Sequence, residues 1–206
     1  MSPSTALDLA EVAPAFGDPT RESQAIFRRV MDAMARPGTI YDVPFAPDAP
    51  QGLDRAAGAV ALTLFDFETP VWLDLALAGG PAERWLRFHA GCPLTPDPLR
   101  AAFALVTDLA TAPVLAAFNQ GDAKYPDRST TLVIQLPALT GGPAVTLRGP
   151  GIKDEASLAL AGLPDGFWAQ VQANHETFQF GVDLIFAAGD RLTALPRSTR
   201  VTIKGD

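Results

Sequence analysis

Thr130-Thr131-Leu132-Val133-Ile134-Gln135-Leu136 is the stretch that decides the fold of this 206-residue chain. Its β-branched and aliphatic residues, set among turn residues, predict a strong strand. A second strand, Ala144 to Leu147, follows across Gly141-Gly142-Pro143, and the short separation predicts a hairpin or neighbouring antiparallel strands. This strand enters Leu147-Arg148-Gly149-Pro150-Gly151-Ile152-Lys153, a Gly-Pro-Gly turn with a cation on each side. Gly149 and Gly151 tolerate positive φ and leave their amides uncovered, so together with Arg148 and Lys153 they can hold an anionic group. A tight connection between two elements explains the same glycines.

Beyond the turn, Asp165 to Glu176 reads as a helix with Phe167, Trp168, Val171 and Gln172 facing inward. Val182–Ala187, Arg191–Leu195 and Arg200–Ile203 read as strands. Toward the N-terminus, Asp18-Pro19 supplies an N-cap and a first-turn proline. Ile26, Phe27, Val30, Met31 and Met34 recur at helical spacing, and Arg36-Pro37-Gly38 stops the helix. Gly38–Val43 suits a short strand, and Leu53–Phe65 a largely buried helix. Val71–Leu77 and Trp85–His89 alternate as strands do, while Asp97 or Pro98 to Leu105 and Pro113–Asn119 suggest two short helices. Helices and strands alternate early and strands cluster late. That pattern predicts a single α/β domain with a mixed sheet flanked by helices, over residues 16–206, preceded by a flexible arm at 1–15.

A chain of this length buries roughly 70% of its unfolded surface and needs no disulfide. The lone Cys92, between Gly91 and Pro93, suits a reducing compartment and the role of a small buried hydrophobe. Met1 to Phe16 carries no Lys or Arg and has no apolar core, which argues against a secretory leader, and the longest apolar run is broken by Asp108 and Pro113. These features predict a soluble, cytoplasmic protein with no membrane partner. A net charge of −7 disfavours non-specific nucleic-acid binding but leaves room for a local basic pocket.

Recognised catalytic patterns are absent. Two histidines, His89 and His175, are too few for a structural zinc site, and both read as structural residues. No Gly-x-Ser-x-Gly elbow, P-loop or dinucleotide fingerprint occurs. Asp66 and Glu68 form either a carboxylate pair on one face of an extended segment or a solvated turn. Pro196 stands between two strands with Arg197 and Arg200 nearby, and these suit either a grip on phosphate or a partner's acidic surface, or exposed edge positions.

Four blocks in order carry more information than any one of them. The first is Phe16-Gly17-Asp18-Pro19 with Ser23-Gln24-Ala25-Ile26-Phe27-Arg28 and Met34-Ala35-Arg36-Pro37-Gly38. The second is Leu62-Thr63-Leu64-Phe65-Asp66-Phe67-Glu68-Thr69 with Trp85-Leu86-Arg87-Phe88-His89. The third is Leu147-Arg148-Gly149-Pro150-Gly151-Ile152. The last is Gly181-Val182-Asp183-Leu184 leading to Leu195-Pro196-Arg197-Ser198-Thr199. From Phe16 to Thr199 the chain closely resembles the PhnH family, the H subunits of the bacterial carbon–phosphorus lyase system. It departs from the family at Phe178-Gln179-Phe180, where Phe-Pro is usual.

The resemblance implies a fold similar to the large domain of pyridoxal-phosphate transferases, without the cofactor. It implies homodimers that join the G, I and J subunits in a core complex. With the G, I and L subunits, such proteins take part in transferring the ribose triphosphate of ATP to an alkylphosphonate. Methylphosphonate and ATP then give α-D-ribose 1-methylphosphonate 5-triphosphate and adenine. The implied role is an accessory subunit with no catalytic residue, metal or cofactor of its own. A rival reading is a subunit with its own phosphate or phosphonate pocket at Arg148, Gly149, Gly151, Lys153 and Arg197. A third is a pyridoxal-phosphate enzyme using Lys153 or Lys204 as Schiff base.

Overall fold

The computed structural model describes residues 13–203, so the expected arm up to residue 12 and Lys204 lie outside the described residues. In chain order the first elements are α1 (Pro19–Ala35), β1 (Tyr41–Asp42), α2 (Arg55–Leu64), β2 (Val71–Leu73), α3 (Pro81–His89) and β3 (Phe103–Val106). There follow β4 (Thr131–Gln135), β5 (Val145–Arg148), β6 (Ala156–Leu158), α4 (Phe167–Glu176), β7 (Asp183–Ala188), β8 (Arg191–Leu195) and β9 (Arg200–Ile203). Six strands form a mixed sheet in the order β1-β8-β7-β4-β3-β2, and β6-β5-β9 form a second, antiparallel sheet. The strands β2, β3, β4 and β7 run parallel, β8 pairs antiparallel with β7, and β1 pairs antiparallel with β8.

The local chemistry of α1 is the one its sequence predicts. Asp18 accepts from the Arg21 amide at 3.1 Å, and Glu22 reaches back to the Gly17 and Asp18 amides. Ile26, Val30 and Ala33 bury one face. In α2 six consecutive residues, Ala56 to Ala61, are buried, because a helix of small side chains fits between the sheet and its neighbours. Gly58 completes that fit: a Cβ there would lie 3.4 Å from the ring of Trp85, which is itself buried.

Both faces of the large sheet are covered. Leu105, Val133 and Ile185 pack with α1, α2 and α3 on one face. Leu132, Ile134, Leu184 and Phe186 pack with α4 and the small sheet on the other. Double burial explains why these parallel strands read as continuous apolar runs.

Several sequence expectations change. Trp85–His89 belongs to a helix, not a strand. Pro81 starts α3, Glu83 and Arg87 pair at 3.0 Å one turn apart, and Ala82, Trp85 and Leu86 share its buried face. Asp97–Leu105 is a 3-10 turn at Pro98–Arg100 followed by β3, whose apolar residues sit between two parallel neighbours. Pro113–Asn119 shortens to a 3-10 turn at Leu115–Ala117. The strand expected to Leu77 ends at Leu73, where Asp74 turns its carboxylate inward. That carboxylate accepts from Leu77 N at 3.1 Å, Thr107 Oγ1 at 2.9 Å and Asp108 N at 2.9 Å, and also from Thr107 N. It ties the ends of β2 and β3 together. The expected β4–β5 pairing does not form, because β4 lies between β3 and β7 while β5 lies in the small sheet. Gly142 makes that crossing possible: a Cβ there would fall 1.8 Å from the Leu160 carbonyl oxygen.

Candidate functional site

The Gly-Pro-Gly turn emerges from β5 with its outer side in solvent. Gly149 has φ +143° and Gly151 φ +82°, both in the range that favours glycine. A Cβ on Gly151 would sit 1.9 Å from the Ala35 carbonyl oxygen at the end of α1, and one on Gly149 would sit 3.0 Å from Ser198 O. Two close backbone approaches therefore account for the two glycines. Arg148 pairs with Glu155, with Nε at 3.0 Å from the carboxylate, and both side chains are exposed. Lys153 is exposed and makes no ion pair among the described residues.

Arg197 lies elsewhere in chemical terms. Its Nε donates to Asp183 Oδ1 at 3.2 Å, Nη1 donates to Pro126 O at 2.8 Å, and Nη2 donates to Asp183 Oδ2 and Ser129 Oγ. The Arg197 amide also donates to Asp183 at 2.8 Å. With 13% of its side chain exposed, this guanidinium braces the 126–129 and 196–199 turns against the start of β7. The five residues singled out in sequence thus divide into an exposed turn and an internal brace.

The residue brought beside Arg148 is Arg200, its directly opposite partner on β9. Leu147 and Val201 point into the core, so Arg148 and Arg200 share the outer face of the small sheet. Next to Arg200 lies a hollow of about 550 Å³ lined by Gln172, His175, Glu176, Arg200 and Val201. His175 Nδ1 lies 3.0 Å from the Arg197 carbonyl oxygen. A carbonyl only accepts, so Nδ1 carries the proton and Nε2 is the ring's remaining polar atom. Gln172 donates to Val201 O at 3.2 Å, fixing α4 along the edge of β9.

The other residues of chemical interest are structural. His89 Nε2 and Trp85 Nε1 both donate to the Ala13 carbonyl, at 3.0 and 2.9 Å. Asp66 accepts from Glu68 N at 2.9 Å in an exposed turn, so the two acids do not form a joint carboxylate site. Cys92 is buried, and burial pushes its thiol above the ordinary range. No group of three or more metal-ligating side chains occurs among the described residues. No helix among them is long and apolar enough to cross a membrane. Sequence reading missed the buried acid Asp74, the half-buried acid Asp183, and the placing of His175 and Arg200 in the lining of one hollow. Only the cross-strand register, which the sequence does not display, brings Arg148 and Arg200 together.

These features define a mixed-sheet α/β protein most of whose polar clusters brace its own loops. The chain belongs to the PhnH family of bacterial phosphonate metabolism proteins, whose family model matches residues 14–202. It is 44% identical over 187 residues to the α-D-ribose 1-methylphosphonate 5-triphosphate synthase subunit PhnH of Rhizobium meliloti, covering 91% of this chain and 94% of that one. It is 31% identical over 191 residues to a putative C-P lyase subunit protein, HtxG, of Stutzerimonas stutzeri, covering 88% and 87%.

Proposed function

We propose that this chain is an accessory subunit of an α-D-ribose 1-methylphosphonate 5-triphosphate synthase within a carbon–phosphorus lyase complex. The near full-length identity to the Rhizobium subunit carries the reading. The internal bonding of Arg197 is consistent with it, since its guanidinium is held by Asp183, Ser129 and Pro126. In this role the chain works with the G, I and L subunits on ATP and an alkylphosphonate, sits beside G, I and J in a cytoplasmic core complex, and dimerises when alone. The likeness to the large domain of pyridoxal-phosphate transferases belongs to the same proposal. Four parallel strands with an antiparallel pair at one edge support it.

The test is reconstitution. Adenine release from ATP and methylphosphonate by the assembled subunits is expected to require this chain. Full activity without it overturns the accessory role. The rival reading, a subunit with its own phosphate pocket, is favoured by one observation: Arg200, across from Arg148, has no carboxylate within ion-pair distance among the described residues.

A further inference from the structure

We propose that the hollow between α4 and β9 is a binding site for a phosphate-type dianion, held by Arg200 and the Nε2 face of His175. The inference does not depend on the accessory role. It starts from the like-charge pair. Directly opposed residues on antiparallel strands have Cβ atoms about 5 Å apart, and like charges there repel unless an anion lies between or beside them. Arg148 has such an anion in Glu155. Arg200 has no carboxylate within ion-pair distance among the described residues, although Glu176 lines the same hollow.

The second observation is the orientation of His175. Its Nδ1–H is tied to the Arg197 carbonyl, and that carbonyl is held in turn because the Arg197 side chain and amide are locked onto Asp183. A histidine fixed through Nδ1 presents Nε2 in one direction, as an acceptor when neutral and a donor when protonated. The third observation is room: the hollow of about 550 Å³ opens beside both side chains.

Donor geometry selects the ligand class. The planar fork of Arg200 and the ring of His175 approach the hollow from two elements, with Glu176 as the one carboxylate in its lining, while Arg148 and Glu155 pair with each other outside that lining. A dianion with three acceptor oxygens suits this arrangement better than a monocarboxylate does. A phosphate-type group, whose second proton leaves near pH 6, can also share a proton with the imidazole.

The chain's two histidines make the test direct. The full-length protein is titrated with inorganic phosphate at pH 7 while the ring resonances of His175 and His89 are followed by NMR. The His175 resonance is expected to move to saturation and the His89 resonance to stay. Arg200→Ala is expected to weaken the His175 response about tenfold or more. Arg84→Ala, on α3, is expected to leave it unchanged. Methylphosphonate is expected to act as phosphate does, and acetate to act only weakly. Absence of a saturable His175 shift overturns the site, as does an equal shift at both histidines or a response that survives Arg200→Ala. Acetate binding as tight as phosphate overturns the ligand class. Circular dichroism of each variant confirms that the fold is retained, and His175→Gln, titrated with phosphate by calorimetry beside the unsubstituted protein, is expected to lose the binding heat. None of these outcomes bears on adenine release, so the site and the accessory role fail separately.

Discussion

Replacing Gly151 by alanine separates a packing glycine from a ligand-cradling one. At φ +82° any residue with a Cβ costs about 1–2 kcal/mol. The new methyl would also sit 1.9 Å from the Ala35 carbonyl oxygen and 3.3 Å from Pro37 Cδ, so the turn and the end of α1 must part. Overpacking of this kind costs about 1–3 kcal/mol. We expect Gly151→Ala to destabilise by about 3 kcal/mol in all, lowering the melting temperature by about 6–12 °C for a chain of this size. Gly141 is the control. Its φ of +93° imposes a similar backbone cost, but nothing lies within 4 Å of its missing Cβ, so Gly141→Ala should cost about 1 kcal/mol. Urea unfolding of both variants measures the difference at constant m-value. Equal destabilisation would refute the argument that close approach to α1 fixes Gly151.

Asp74→Ala leaves the Thr107 and Asp108 amides and the Thr107 hydroxyl without their acceptor, and should cost about 3 kcal/mol in the same assay. Arg197→Met alone strands a mostly buried Asp183 carboxylate and should cost about 3–5 kcal/mol. Adding Asp183→Leu should recover a large part of that loss, a coupling readable from a double-mutant cycle. The Cys92 thiol, raised by burial, stays protonated in the folded state at a pH where the unfolded chain has begun to ionise. The folded state then holds the extra proton, so this contribution to stability is present below about pH 8.5 and is lost as pH rises above it. Cys92→Ala should flatten that part of the stability profile, and alkylation of the native protein should be slow until it unfolds.

Legibility in the sequence followed the range of the forces involved. Elements set by neighbouring residues read well: α1, with its Asp18 cap and Pro37 stop, matches its expected bounds, and β7, β8 and β9 fall within a residue or so of theirs. Five residues at Trp85–His89 satisfied the strand period by accident, and Pro81 as a first helical residue was the local signal that settled the matter. Two of the errors, the β4–β5 pairing and the extension of β2 past Leu73, turn on contacts more than ten residues apart. Asp74 reaches Thr107 and Asp108, and β5 finds β9, more than fifty residues on. No window of sequence contains those partners.

The same distinction explains the site. Glycine, proline and arginine near 148–153 are visible as chemistry, but the use made of each depends on what the fold brings against it. Gly151 meets α1, Arg197 meets Asp183, and Arg148 meets Glu155 and, across the ladder, Arg200. A half-buried arginine with every guanidinium nitrogen bonded to its own fold cannot turn to a ligand without stranding a carboxylate, so Arg197 is committed to the frame. Arg200 has the opposite situation: it is exposed, lies across the ladder from an arginine that already has its carboxylate, and has none within ion-pair distance among the described residues. An anion bound there would give it the partner that Glu155 gives Arg148. Arg200, rather than the glycine-rich turn, is therefore where this chain has the most to gain from a ligand.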